Sequence, residues 1–161
     1  MFLARVHGMM RRTAALVIAA LCVSLSACSA PAPEPQTAAK HSDGRLRTDL
    51  APLAERYPQL ASAESIEWMG GTLGSRDVGP STYWVDVIAV MPKSEIDVYR
   101  STADLVKVDP PTLVDDLAPK LPTGPFEGSP ELDDLFSSGG HGATVAIDPQ
   151  TRTVVLSGVF D

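Results

Sequence analysis

The chain has 161 residues, 44% hydrophobic and 20% charged, with 14 prolines and two cysteines, which leaves room for one ordinary domain and argues against a disordered chain. Its formal charge is −7, from 13 basic and 20 acidic residues, and without Arg5, Arg11 and Arg12 at the N-terminus the balance is 10 against 20, or −10. So acidic a surface repels phosphate backbones and argues against nucleic acid as a partner. Cys22 and Cys28 are the only cysteines, so Ser29 to Asp161 holds no disulfide, zinc-thiolate site or thiol nucleophile.

Met1 to Arg12 is basic without an acid, and Thr13 to Leu25 is almost unbroken apolar sequence, the charged-then-apolar order of an export signal. A spanning helix needs about 20 apolar residues, and this run is shorter. It closes on Leu25-Ser26-Ala27-Cys28, which resembles the lipobox of bacterial lipoproteins: an aliphatic residue, two small residues and the cysteine. The resemblance implies cleavage before Cys28 and a diacylglyceryl thioether on its sulfur, with the mature protein lipid-anchored to the plasma membrane on its extracytoplasmic side. An ordinary signal peptide with an incidental cysteine, or a short uncleaved anchor, is the alternative. Arg11-Arg12 lacks the hydrophobic pair that follows a twin-arginine signal, so the general secretory route is expected.

The division expected is therefore 1–27 signal peptide, 28–44 lipidated cysteine and tether, and 45–161 a single domain. Pro31, Pro33 and Pro35 favour extended polyproline II in the tether. In the domain, Thr48 and Asp49 are cap-like ahead of Leu50, Leu53, Ala54 and Tyr57, with Pro52 in the first turn, which predicts a short helix ending before Pro58. Ser65 to Leu73 alternates as a strand, where Gly70-Gly71 marks a bulge or a close approach. After a loop from Gly74 to Ser81, Thr82 to Met91 is apolar on both faces and reads as a central strand stopped by Pro92.

Ser94 and Asp97 suggest a capping box, and Ile96, Tyr99 and Ala103 extend a helix to about Val106. Six prolines between Val108 and Pro130 forbid long regular structure, leaving one or two helical turns over Thr112 to Leu117. Ser129, Pro130 and Glu131 open a second short helix with Leu132, Leu135 and Phe136 as its apolar stripe, ended by Gly139-Gly140. Ala143 to Ile147 and Thr153 to Phe160 form a hairpin around Asp148-Pro149. The whole predicts an α+β domain: an antiparallel sheet of about four strands covered on one face by helices, with a C-terminal β-hairpin. This layout, with the run Gly79-Pro80-Ser81-Thr82-Tyr83-Trp84, resembles small envelope lipoproteins of high-GC Gram-positive bacteria that carry no assigned activity; the resemblance implies a Gram-positive plasma membrane and no catalytic residues.

His41, in the tether, and His141 are the only histidines after Cys28, too few for a zinc site, and the pairs Asp115-Asp116 and Asp133-Asp134 fit no calcium loop. No cofactor is expected, and no Gly-x-Ser-x-Gly elbow is present. His141 sits between glycines as a candidate base or as a flexible approach to the next strand. Asp86 interrupts an apolar strand, so it must meet water at the sheet edge or find hydrogen bonds or a cation such as Arg76 or Arg100. Trp68 and Trp84 either line a ligand groove with Asp86 or belong to the core. The function expected is a non-enzymatic domain that binds a small ligand or an envelope protein. The alternatives are an accessory subunit of an envelope complex and an envelope-polymer hydrolase using Asp86 or His141.

Overall fold

The computed structural model of the chain describes residues 39–74, 82–137 and 140–161. The signal sequence, Cys28, the start of the tether, Arg76, Gly79–Ser81 and Gly139 lie outside the described residues. Seven strands form one antiparallel sheet: β1 (Lys40–Ser42), β2 (Ser65–Leu73), β3 (Thr82–Val90), β4 (Val106–Val108), β5 (Phe126–Gly128), β6 (Gly142–Asp148) and β7 (Thr153–Phe160), in spatial order β1-β2-β3-β7-β6-β5-β4. The four strands expected are β2, β3, β6 and β7, which make the centre of the sheet. The three missed ones are three residues long, too short for alternation to register.

Two of them overturn local expectations. β1 lies inside the stretch read as tether and pairs Lys40 with Leu73 and Ser42 with Gly71. The helix expected to reach Val106 stops at Thr102, because Ala103 is already extended and Val106 to Val108 leaves to pair with β5. The glycine pair in β2 makes no bulge: the β2–β3 register runs unbroken, Gly70 opposite Val85 and Gly71 opposite Trp84. It serves close approach instead, since a Cβ on Gly71 would overlap the His41 carbonyl oxygen of β1.

Three helices, α1 (Ala51–Arg56), α2 (Lys93–Thr102) and α3 (Pro130–Phe136), cover one face. Leu53, Ile96, Tyr99, Leu132 and Phe136 from them join Val85, Val87, Val145 and Leu156 from the sheet in one buried cluster, the dominant apolar term in the fold. The capping signals held unevenly. Ser129 Oγ accepts from Leu132 N–H at 3.2 Å as the cap of α3. Ser94 caps nothing, because α2 begins at Lys93 after Pro92, and Asp97 pairs with Lys93 instead at 2.6 Å.

The sheet is not left open on its second face, as the expectation of one covered face had it. Leu113 and Leu117, from the proline-rich segment, bury Met69, Trp84, Ile88, Ala146 and Val155. Six prolines block a long helix but permit a packed, irregular layer. The β6–β7 hairpin closes across Asp148 and Thr153. The Asp148 carboxylate accepts from Gln150 N–H at 2.9 Å and from Thr151 Oγ1 at 2.8 Å, a side chain standing in for backbone at a turn.

Candidate functional site

Alternation along β3 sends Val85 and Val87 to the helical face and Trp84, Asp86 and Ile88 to the proline-rich face. Asp86 is 0% exposed, so it does not reach water, and of the two arginines expected the described one, Arg100, is not its partner. Arg100 pairs with Glu127 at 2.9 Å. Lys40 supplies the cation: its Nζ donates to Asp86 Oδ1 at 2.6 Å and Oδ2 at 2.9 Å, and also to Ser157 Oγ at 3.1 Å and the Thr112 carbonyl at 3.3 Å. The ammonium stands 5.2 Å from the Trp84 ring centroid. Ser157 Oγ and Val114 N–H each donate to the carboxylate at 2.8 Å. With both oxygens occupied and no exposure, Asp86 is an internal clamp joining β1, β3, β7 and the proline-rich layer.

The four residues singled out do not converge. Trp84 and Asp86 lie on the proline-rich face, whereas Trp68 packs on the helical cluster. His141 also lies on the helical side, with its ring 6.5 Å from that of Tyr57 and 5.8 Å from that of Phe160. Its Nδ1 and the Tyr57 hydroxyl are buried without hydrogen-bond partners among the described residues. Burial raises the Tyr57 hydroxyl above its ordinary pKa. No group of three His, Cys, Asp or Glu among the described residues is placed to hold a metal ion.

The concavity with ligand-like chemistry is elsewhere, on the helical face between α1, β2 and the segment that follows β1. It has a volume of about 260 Å³. Its floor is open because Gly70, on the Trp68 side of β2, carries no side chain. Leu53 and Pro52 of α1 form one wall, Val85, Tyr83 and Phe160 another, and Trp68 a third. Tyr83 and Phe160 stack with centroids 5.7 Å apart and planes 17° apart.

Two guanidinium groups sit at its rim. Arg47 exchanges both backbone hydrogen bonds with Trp68, each 2.9 Å, which lays its guanidinium over the Trp68 ring at 4.8 Å. It also pairs with Asp43, and that hydrogen bond is the main reason the Asp43 carboxyl is held below the usual carboxylate range. Arg56, in the last turn of α1, lies over the Phe160 ring at 3.6 Å; among the described residues it has no carboxylate partner within salt-bridge reach. The pocket thus offers an apolar interior, aromatic walls and a cation whose faces are engaged but whose N–H edge is not.

Arg47, Arg56, Tyr83 and Phe160 were not singled out by sequence reasoning. Two signals pointed here: Trp68 and Trp84, read as possible walls of a ligand groove and both in the lining, and Gly70-Gly71, whose missing side chains leave the floor open. Compared with known proteins, the chain matches no protein-family model, no curated protein and no solved structure.

Proposed function

We propose that this chain is an exported lipoprotein, anchored through Cys28 to the outer side of a Gram-positive plasma membrane, whose domain binds a small ligand without transforming it. The binding part of this reading is carried by the aromatic pocket floored by Gly70: a concave, mostly apolar site with a few placed polar groups is the form that small-molecule sites take. The anchoring part rests on the Leu25-Ser26-Ala27-Cys28 sequence. Among the described residues no helix is long and apolar enough to cross a membrane; in this reading attachment is by the lipid on Cys28, and two acyl chains suffice for it. From Cys28 to Lys40 a fully extended chain spans at most roughly 40 Å, the greatest reach such a tether allows. The hydrolase alternative has less support, because Asp86 is saturated and buried on the face opposite His141.

Two measurements test the two parts. Wild type and Cys28→Ser are expressed in a Gram-positive host and compared by membrane against medium fraction and by intact mass. A wild-type mass beginning at Cys28 with added diacylglycerol, and release or failed processing of the variant, is expected; unlipidated wild type in the medium would refute anchoring. The lipidated chain in detergent is then screened against small aromatic and aliphatic compounds by amide and indole N–H resonances. Shifts at Gly70, Gly71 and the Trp68 indole are expected, with the Leu113 and Leu117 amides of the proline-rich layer unmoved. Shifts confined to other surfaces, or none at millimolar compound, would refute the pocket.

A further inference from the structure

We infer that the ligand class of this pocket is a flat apolar body of one or two rings bearing a single negative charge, with the charge held by Arg56. The inference rests on the binding reading above and deepens it.

Size comes first. A volume of about 260 Å³ is at the small end of ligand sites, which run from about 300 Å³ upward, and suits a body of one or two rings. Shape follows from the walls: Trp68 on one side and the stacked Tyr83–Phe160 pair on the other present rings, against which flat ligands pack best.

Charge is decided by the two arginines. In a domain with twice as many acids as bases, every cation has carboxylates to choose from, and Arg47, Arg100, Lys120 and Arg152 each hold one. Arg45, Arg56 and Lys107 hold none among the described residues, and of these three Arg56 is the one that stands over an aromatic ring, Phe160, at the apolar cavity. Stacking engages a guanidinium through its face and leaves the in-plane N–H donors aimed outward, the geometry that takes a carboxylate on two parallel hydrogen bonds. A second anionic group would meet Asp43 on the opposite rim, which favours a monoanion.

Indole-3-acetate and its neutral counterpart indole-3-acetamide are titrated into the lipidated full chain, wild type and Arg56→Gln, following the Trp68 indole and Gly70 resonances. The acid is expected to bind about tenfold more tightly than the amide, the gain from one charge-assisted hydrogen-bonded contact at a half-open site. Arg56→Gln should abolish that preference, and salt should weaken binding of the acid alone. Equal binding of acid and amide, or a preference that survives Arg56→Gln, would overturn the assignment of charge while leaving the pocket itself established. Acetate binding as tightly as indole-3-acetate would overturn the flat-body part. If neither indole compound moves the pocket resonances, the binding reading fails together with the inference.

Discussion

Replacing Lys40 by methionine removes the cation from Asp86 while keeping most of the side-chain volume. The carboxylate, 0% exposed, would retain only the Ser157 hydroxyl and the Val114 N–H, each at 2.8 Å. Breaking a buried pair from one side costs about 3–5 kcal/mol. Lys40 is itself 24% exposed, so water can approach the vacated position and the lower end, about 3 kcal/mol, is expected. Asp86→Asn should cost less, about 1–2 kcal/mol, because the amide can still accept from Val114 and the freed ammonium can turn toward solvent. The double variant contains no unpaired buried charge, so its loss should fall short of the sum of the two singles by about 2 kcal/mol. Urea unfolding followed by tryptophan fluorescence at unchanged m measures all four corners of the cycle. Additivity within about 0.5 kcal/mol, or a Lys40→Met loss below about 1 kcal/mol, would refute the claim that this pair clamps β1 to the sheet.

Gly71→Ala puts a methyl group where the His41 carbonyl lies, so β1 must move off β2; a loss of about 1–3 kcal/mol is expected, with faster amide exchange at His41 and Ser42, and unchanged exchange there would contradict the register described. Burial pushes the Tyr99 hydroxyl from 10.0 up to about 12, so the folded state keeps a proton that the unfolded state has released. Stability is therefore intact below pH 10 and falls as pH climbs toward 12, by about 2–3 kcal/mol for this group. Tyr99→Phe gives up its 2.7 Å hydrogen bond to the Gln59 carbonyl, about 1 kcal/mol at neutral pH, but should lose less stability than wild type above pH 10. Parallel wild-type and variant curves by urea unfolding at pH 9 to 12 would show that Tyr99 is not the group responsible.

By itself the sequence determined the α+β class, the four central strands, the three helices, the cap at Ser129 and the closing hairpin, because each is written in local periodicity or in turn chemistry within a few residues. It also showed that Asp86 needed a partner, since a carboxylate in an apolar strand cannot stand alone. Only the tertiary structure decided which partner: Lys40 lies 46 residues upstream, in sequence whose composition reads as tether, and no spacing rule connects the two. The same holds for the edge strands, too short to carry a period, and for the parting of Trp68 and Trp84, which depends on how β2 is set against β3. The pocket joins Arg47, Arg56, Trp68 and Phe160 from three separated stretches of chain. A cation and an aromatic ring become a site only when sheet order and register bring them within van der Waals reach, and that proximity is a property of the folded chain rather than of any segment of it.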